Sequence, residues 1–305
     1  MPSTVSTYFG ELTQSAGESW NSFWFEPTSG TRLAVLRHIV GLFTLVWLIS
    51  FSLELKEMFG VNGWVSVDVV HQTTVDGDLE SVSTGFSHLF LSQSAGFLWI
   101  CHVVALVVAG CLTLGLAPKL SAPLSLLVVL SYIHRAPMMT TPFETVLCML
   151  LLYLSVEAVA TFSLKEVRTT YHRPPSWFSN LATRLIQVHL CGIYVLIALS
   201  KVGTAVWWNG EAAWYLLTDY QHRLVNLDAL TESVYALNAI THFWLLSELV
   251  FPILIWNVRL RPLVIGISTL VWLFAMVVTG HVGYCLLMLA ANMVFLELPT
   301  RESRS

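Results

Sequence analysis

Apolar runs of about 20 residues recur through most of this 305-residue chain, and about 20 residues is the length that a helix needs to cross a bilayer. Only 11% of the residues are charged, less than half of the roughly 25% that is typical of a soluble domain. An ordinary soluble enzyme is therefore excluded. The sequence predicts an all-α polytopic membrane protein that has the lipid bilayer as its main partner.

Eight membrane spans are predicted where apolar runs lie between polar breaks. They cover residues 33–54, 88–116, 119–134, 143–163, 182–203, 237–257, 262–279 and 281–298. The last apolar stretch, from Arg261 to Leu298, is too long for one span, so we divide it at Gly280 and His281. The chain then has a short polar N-terminal segment (1–22), a transmembrane domain (23–298) and a tail (299–305).

The distribution of positive charges predicts the orientation of these spans, because cytoplasmic loops are enriched in Lys and Arg. On one side of the predicted spans lie Arg32, Lys119, Lys165, Arg168, Arg173, Arg184, Arg259, Arg261, Arg301 and Arg304. The loops at 55–87 and 204–236 lie on the other side and are acidic. We therefore expect both termini in the cytoplasm and an outer face that is built mainly from the two acidic loops.

Charge and motifs exclude several other classes of function. The formal net charge is −4, so the chain lacks the basic face that nucleic acid requires, and no Gly-rich phosphate-binding loop occurs. Within a predicted span no two His or carboxylate residues are spaced three or four apart, so the spacing predicts no metal site, although His134 and Glu144 could still meet in space. We expect no nucleic-acid partner, and a peptide or protein partner would bind the outer face.

Several ionisable residues are predicted at the depth of the outer leaflet. They are Lys201, His134, Arg135, Glu144, His242, His281 and His102. A charge inside a span costs about 2.5–3.5 kcal/mol on insertion scales, so their common depth suggests a functional site. The alternative is structural, because a side chain near a helix end can reach the headgroups and a lone His can bond a neighbouring hydroxyl or carbonyl.

Two carboxylates lie deeper in the predicted spans. Glu248 is near the middle of the span at 237–257, and Glu157 is in the inner half of the span at 143–163. Glu248 cannot easily reach the headgroups, so we expect it to pair with Arg or His, or to be protonated and hydrogen-bonded. A structural bond between helices and a role in a site both remain open.

The segment YVLIALSKVGTAVWWNGEAAWYLL, residues 194–217, resembles the signature of the HTTM family, the horizontally transferred transmembrane domain shared with vitamin K-dependent γ-carboxylases. That signature has a Lys near the outer end of a span, then Trp, Gly and an aromatic helix, and here these are Lys201, Trp207, Gly210 and Tyr215. Other segments match in order: RLAVLRHIVGLF (32–43), TLGLAPKLSA (113–122), HRAPMMTTPFETVLCMLLLYL (134–154), ELVFPILIW (248–256) and GHVGYCLLMLAANMVFLEL (280–298). The resemblance covers residues 23–298.

This resemblance implies a membrane enzyme whose catalytic centre opens to the outer side. In the carboxylases a Lys of this helix is held to be the base that deprotonates reduced vitamin K, and Lys201 is the matching residue. A reduced quinone is then the expected cofactor, in a carboxylase-like or quinone-epoxidising reaction. His134, Glu144 and His242 would orient groups or move protons beside Lys201. The expected substrate-binding residues are Arg135, Trp207, Trp208, Gly210, Glu248 and His281.

The sequence also departs from the family pattern. The carboxylases carry a large β-rich region after the helices, whereas this sequence ends seven residues after its last predicted span. Where many members have Asn and Asp, this chain has Ala136 and Glu144. Peptide γ-carboxylation is therefore not expected.

Two other functions are open besides the enzyme. A non-enzymatic membrane factor for the maturation, export or assembly of a peptide or protein partner is the main alternative, and its long outer loops would form the contact. Trp207 and Trp208 are alternatively interpreted as interfacial anchors. A small-solute transporter is less favoured, because neither an internal repeat nor a matched pair of broken spans is evident. For either function the expected location is the bacterial inner membrane.

Overall fold

The computed structural model of this chain describes residues 4–65, 87–92, 94–160 and 175–296. Its α-helices in these ranges are α1 (Thr4–Phe25), α2 (Thr31–Ser52), α3 (Leu55–Phe59), α4 (Ala95–Thr113), α5 (Pro118–Arg135), α6 (Pro142–Ala160), α7 (Trp177–Val202), α8 (Ala205–Trp208), α9 (Ala212–Thr218), α10 (Val234–Leu254), α11 (Arg261–Thr279) and α12 (Val282–Asn292). Short 3₁₀ turns occur at His88–Phe90, Pro137–Met139, Asp228–Leu230 and Met293–Phe295.

Six of these helices are long and apolar enough to cross a membrane: α2, α4, α6, α7, α10 and α11. The prediction of a polytopic α-helical membrane protein is thereby confirmed. The other two predicted spans fall on α5, which carries Lys119 and Arg135 within its bounds, and on the shorter apolar helix Val282–Phe295. The acidic residues of the loop at 66–86, the basic residues at 161–174 and the tail from 297 onward lie outside the described residues.

The structure adds detail at two predicted boundaries. A helix, α1, begins within the segment predicted as a short polar N-terminus and extends from Thr4 to Phe25. The span predicted at 88–116 is divided into the 3₁₀ turn at His88–Phe90 and α4. Ser94 is the N-cap of α4: its hydroxyl accepts a hydrogen bond from the Phe97 amide at 3.2 Å, as serine often does at an N-cap.

The end of α1 is attached to the beginning of α7. The backbone carbonyl of Phe23 accepts hydrogen bonds from Asn180 Nδ2 at 2.9 Å and from Arg184 Nε at 3.2 Å. The Arg184 guanidinium also lies 4.5 Å from the centre of the Phe23 ring. α1 is therefore held at the end of α7 that is opposite to Lys201.

The spans pack around one large apolar core, and a second, smaller cluster joins α3 to α2, α4 and α5. His102 is completely buried in the smaller cluster. Its Nδ1 lies 2.8 Å from the Tyr132 hydroxyl and its Nε2 lies 2.9 Å from the Ser52 hydroxyl. Both ring nitrogens are thus satisfied by neighbours, which agrees with the structural interpretation of this His.

Candidate functional site

Lys201 and Glu248 form an ion pair between α7 and α10. The ammonium nitrogen of Lys201 donates to both carboxylate oxygens of Glu248, at 2.6 and 2.7 Å. Glu248 is 3% exposed and Lys201 is 16% exposed. The predicted partner of Glu248 was wrong, because an Arg or His was expected and the structure gives Lys201. The charge of each residue is compensated by the other at membrane depth.

Two indole rings enclose the Lys201 ammonium. It lies 4.5 Å from the centre of the Trp207 ring and 4.7 Å from that of Trp244, within the range of cation–π attraction. The two rings meet edge to face at 5.8 Å. Trp244 Nε1 also donates to Glu248 Oε1 at 2.8 Å, so the same indole contacts both members of the ion pair.

The chain positions these groups through helix spacing and one tight turn. Trp244 and Glu248 are four residues apart on α10 and therefore lie on the same face. Gly210 follows α8 with φ +76°, and a Cβ at this position would lie 2.1 Å from Asn238 Oδ1. Its carbonyl accepts a hydrogen bond from the Thr241 hydroxyl at 3.1 Å. Thr241 thereby ties the turn after Trp207 to α10.

A hydrogen-bonded cluster lies two turns below Lys201 on α7. The Tyr194 hydroxyl is 2.7 Å from the Ser268 hydroxyl and accepts from Trp272 Nε1 at 2.7 Å and from Asn292 Nδ2 at 2.8 Å. This cluster lies deeper in the helix bundle than the ion pair, and none of its four residues had been identified from the sequence.

Arg37 of α2 and Glu157 of α6 form a second buried ion pair, with exposures of 2% and 1%. This pair lies toward the opposite ends of the spans from Lys201. The Ser179 hydroxyl donates to the other oxygen of Glu157 at 3.4 Å. Sequence reasoning noted Glu157 as a buried carboxylate but did not identify its partner.

Glu144 is part of the cap of α6. Its carboxylate accepts from the Thr141 amide at 2.7 Å and from the Thr141 hydroxyl at 2.5 Å, as in a capping box. Its other oxygen accepts from Trp47 Nε1 at 3.0 Å. The two Thr141 bonds cap α6 and the Trp47 bond joins α6 to α2, so all three contacts are of the kind that a structural role requires.

A cavity of about 530 Å³ opens between α2, α6 and α12. Its walls are mainly apolar and aromatic, with Phe43, Trp47, Phe143 and Tyr284 among them, and His281 lies at its edge. The Tyr284 ring packs edge to face on Trp272 at 5.3 Å. Lys201, Glu248, Trp207 and Trp244 are not among the described residues that line this cavity.

The structure does not gather the four predicted catalytic residues around one cavity. His242 is exposed, and its Nδ1 lies 2.8 Å from the Asn238 carbonyl of its own helix. His134, partly buried, is at the end of α5, and Glu144 belongs to the α6 cap. Of these four residues, only Lys201 belongs to the ion pair with Glu248.

Among the predicted substrate-binding residues, Glu248, Trp207 and Gly210 lie in or beside the Lys201 site. Trp208 is 60% exposed, and its indole donates to the Val202 carbonyl at 2.6 Å. Arg135 is buried in the smaller cluster, where it donates to the Phe59 carbonyl at 3.2 Å. His281 is found at the cavity instead.

No family model, no curated protein and no solved structure matches this chain. The resemblance to the HTTM family therefore remains a prediction from motifs, and function has to be argued from the geometry around Lys201.

Proposed function

We propose that this chain is a membrane protein with about eight spans and both termini in the cytoplasm, located in a bacterial inner membrane. Its function is to act on a quinol or another lipid-soluble hydroxyl compound with Lys201 as base, as the resemblance to the γ-carboxylase membrane domain implies. One observation carries the proposal: Lys201 and Glu248 are paired at membrane depth inside a cage of two indoles.

The ion pair can provide a neutral amine base by a proton transfer between its own two members. Transfer of one proton from the Lys201 ammonium to Glu248 leaves a neutral amine beside a neutral carboxylic acid. The amine then accepts the proton of a substrate hydroxyl, and the resulting ammonium balances the negative charge left on the substrate oxygen. Because Trp207, Trp244 and Glu248 cover most of the Lys201 side chain, which is 16% exposed, this charge stabilisation is stronger than it would be in solution.

The neighbouring cavity fits an aromatic, lipid-soluble ligand. A volume of about 530 Å³ with aromatic walls is within the usual range for small-molecule sites, and its few polar groups are at the edge. A reduced quinone supplies hydroxyl groups that can be deprotonated. Phe143 and Trp47 would hold its ring.

A redox-inert probe tests the base directly. An alkylated naphthol is added to the protein in nanodiscs at neutral pH, and the absorbance band of the naphtholate is measured. Wild type should produce this band, and Lys201→Arg should abolish it, because Arg keeps the charge but does not accept a proton at this pH. The Lys201→Arg protein should remain folded, since it still pairs with Glu248.

The matched control is Lys56→Arg, because Lys56 is exposed on α3. This variant should give the wild-type band. The proposal is refuted if wild type gives the spectrum of empty nanodiscs, or if Lys201→Arg retains the band. A lysine that only anchors a helix end would tolerate Arg.

The non-enzymatic factor remains the second candidate, because aromatic side chains stand exposed around the loop 204–233. Tyr235 is 88% exposed, Tyr220 67% and Trp208 60%. Exposed Tyr and Trp are frequent anchors in protein interfaces, and they are also typical of membrane interfaces. Alanine substitutions of these three residues would abolish cellular function if a partner binds here, whereas Lys201→Arg would not.

A further inference from the structure

An apolar stripe runs along the whole length of α1. Its positions recur at intervals of three or four residues and are Val5, Phe9, Leu12, Ala16, Trp20 and Phe23. Positions with this spacing share one face of an α-helix. The opposite face is polar and carries Glu11, Gln14 and Glu18. α1 is therefore amphipathic, and it is not one of the six helices that are apolar enough to cross a membrane.

The described protein covers this stripe only at its end. The Phe23 ring is partly buried, 5.6 Å from the Trp256 ring and 4.5 Å from the Arg184 guanidinium. Every residue from 13 to 22 is exposed, and Trp20 is 63% exposed. Contiguous apolar surface that is left open on a protein marks a place where a partner binds. The stripe therefore needs a partner before Phe23.

The end of α1 lies at the level where the spans end. The Phe25 ring is 5.8 Å from the ring of Trp177, the first residue of α7, and Trp256 follows the last residue of α10 by two positions. Trp residues at the ends of spans are typical of the membrane–water interface. Phe23 belongs to the stripe and is turned toward these span ends. The same face of α1 is therefore turned toward the bilayer where the helix extends beyond the bundle.

The charges of α1 indicate how it would bind this surface. Glu11 and Glu18 are its only charged residues, and the first basic residue of the chain is Arg32. On the polar face, Gln14 Nε2 donates to Glu18 Oε1 at 3.0 Å, and both side chains are exposed. Helices that lie in a membrane interface bind by apolar burial and, where they carry Lys or Arg, by attraction to anionic lipids. Only the apolar contribution is available to α1.

The period of the stripe distinguishes a lipid surface from a second helix. The five intervals between Val5 and Phe23 average about 3.6 residues, which is the period of a straight α-helix. A coiled coil requires a period of 3.5 residues and usually has opposite charges beside its seam. A second copy of α1 would bring only further Glu residues, which repel. A straight stripe without cations fits a flat, uncharged apolar surface.

We propose that α1 lies in the membrane interface at the end of the spans opposite to Lys201, with its apolar stripe inserted among phospholipids. Apolar contact with the lipid holds the helix, and the charge of the headgroup does not contribute. The bonds of the Phe23 carbonyl to Asn180 and Arg184 fix one end of α1 to α7, and lipid covers the remainder of the stripe. This role does not depend on the chemistry of Lys201.

Photo-crosslinking in the intact protein tests the insertion. p-Benzoylphenylalanine replaces either Trp20 on the stripe or Glu18 on the polar face, and each protein is illuminated in phosphatidylcholine nanodiscs. Mass spectrometry of the α1 peptide then measures the yield of lipid adducts. We expect a high yield at position 20 and a low yield at position 18. The same substitution at Leu270, which is 65% exposed on the apolar helix α11, shows the yield of a position that faces lipid.

Leu12→Glu and Gln14→Glu form a matched pair, because each adds one carboxylate to the same turn of α1. With the crosslinker at position 20, Leu12→Glu should reduce the lipid adducts by about tenfold or more, since it removes an apolar side chain from the stripe and adds a charge there. Gln14→Glu should leave the yield unchanged. Added salt or phosphatidylglycerol should not increase the yield, because α1 has no cation.

The proposal is refuted if position 20 captures no more lipid than position 18, or if position 20 is crosslinked mainly to a second copy of the chain. It is also refuted if Leu12→Glu, shown by circular dichroism to be folded, retains the full yield of lipid adducts. A yield that rises with phosphatidylglycerol would contradict binding by apolar contact alone.

Discussion

Glu248→Gln should destabilise the fold more than any single substitution at an exposed carboxylate. The change leaves the Lys201 ammonium at membrane depth with two indoles and an amide but no anion. Breaking a buried ion pair by removing one partner typically costs about 3–5 kcal/mol. Lys201 is 16% exposed and can reach some water, so we expect the lower limit, about 3 kcal/mol.

Removing both charges should cost less than this. In the double variant Lys201→Met, Glu248→Leu no charge is left uncompensated, and apolar groups of similar size fill the site. Comparison with Lys201→Met alone and with Glu248→Leu alone completes a double-mutant cycle. We expect a coupling energy of about 2 kcal/mol between the two positions, toward the upper part of the range for residues in contact.

Reversible unfolding in mixed detergent micelles, followed by circular dichroism, measures these free energies. The control is Glu211→Gln, an exposed carboxylate beside the same site, which should change the free energy of unfolding by no more than about 0.5 kcal/mol. A cost below about 1 kcal/mol for Glu248→Gln, or a coupling energy near zero, would show that the ion pair is not a compensated buried pair.

Two further predictions concern the loop beside the site. Gly210→Ala should destabilise the protein by about 1–3 kcal/mol in the same unfolding assay, because φ is +76° and the new Cβ meets Asn238. The control is Gly266→Ala, whose new Cβ meets nothing within 4 Å and which should be neutral or stabilising. The hydrogen bond and charge of Arg223 lower the pKa of Asp228 below its ordinary 3.8. The stabilisation of the loop by the Arg223–Asp228 ion pair is therefore fully present above pH 3.8. It disappears only as the pH falls through the lowered pKa of Asp228. Hydrogen exchange of the Leu224 amide, which donates to Val277 at 2.8 Å, should remain slow down to about pH 4, and loss of protection near pH 5 would contradict this.

The spans could be predicted because their signal is local. A run of apolar residues has to be helical in a bilayer whatever its neighbours are, and this requirement identified every long helix from α2 onward. α1 has no such run, since its residues are mostly polar and small, and it was missed. Its attachment to α7 depends on the Phe23 carbonyl, a group that every sequence position possesses and that no pattern reveals.

The site was predictable residue by residue but not in its pairing. Both Lys201 and Glu248 were singled out by the cost of charge in a span, yet the rotation of α7 against α10 decides that they meet. One error was avoidable. His242 is two residues before Trp244, which rotates it by about 200° around α10 from the face that carries Glu248. Helix spacing alone therefore places His242 away from Glu248.

The contrast between Lys201 and the other outer ionisable residues supports a chemical role for Lys201. Glu144 and His102 satisfy their bonding capacity with caps and hydroxyls, which is what a structural role requires. Lys201 is in the last turn of α7, where its chain is long enough to reach the headgroups. It points instead toward Glu248, and the side chains of three helical segments, α7, α8 and α10, meet around its amine. A side chain that only reaches the headgroups gains nothing from this arrangement. An ion pair between helices uses the contact with Glu248, and a base also needs an amine that is held, enclosed and paired with a proton acceptor.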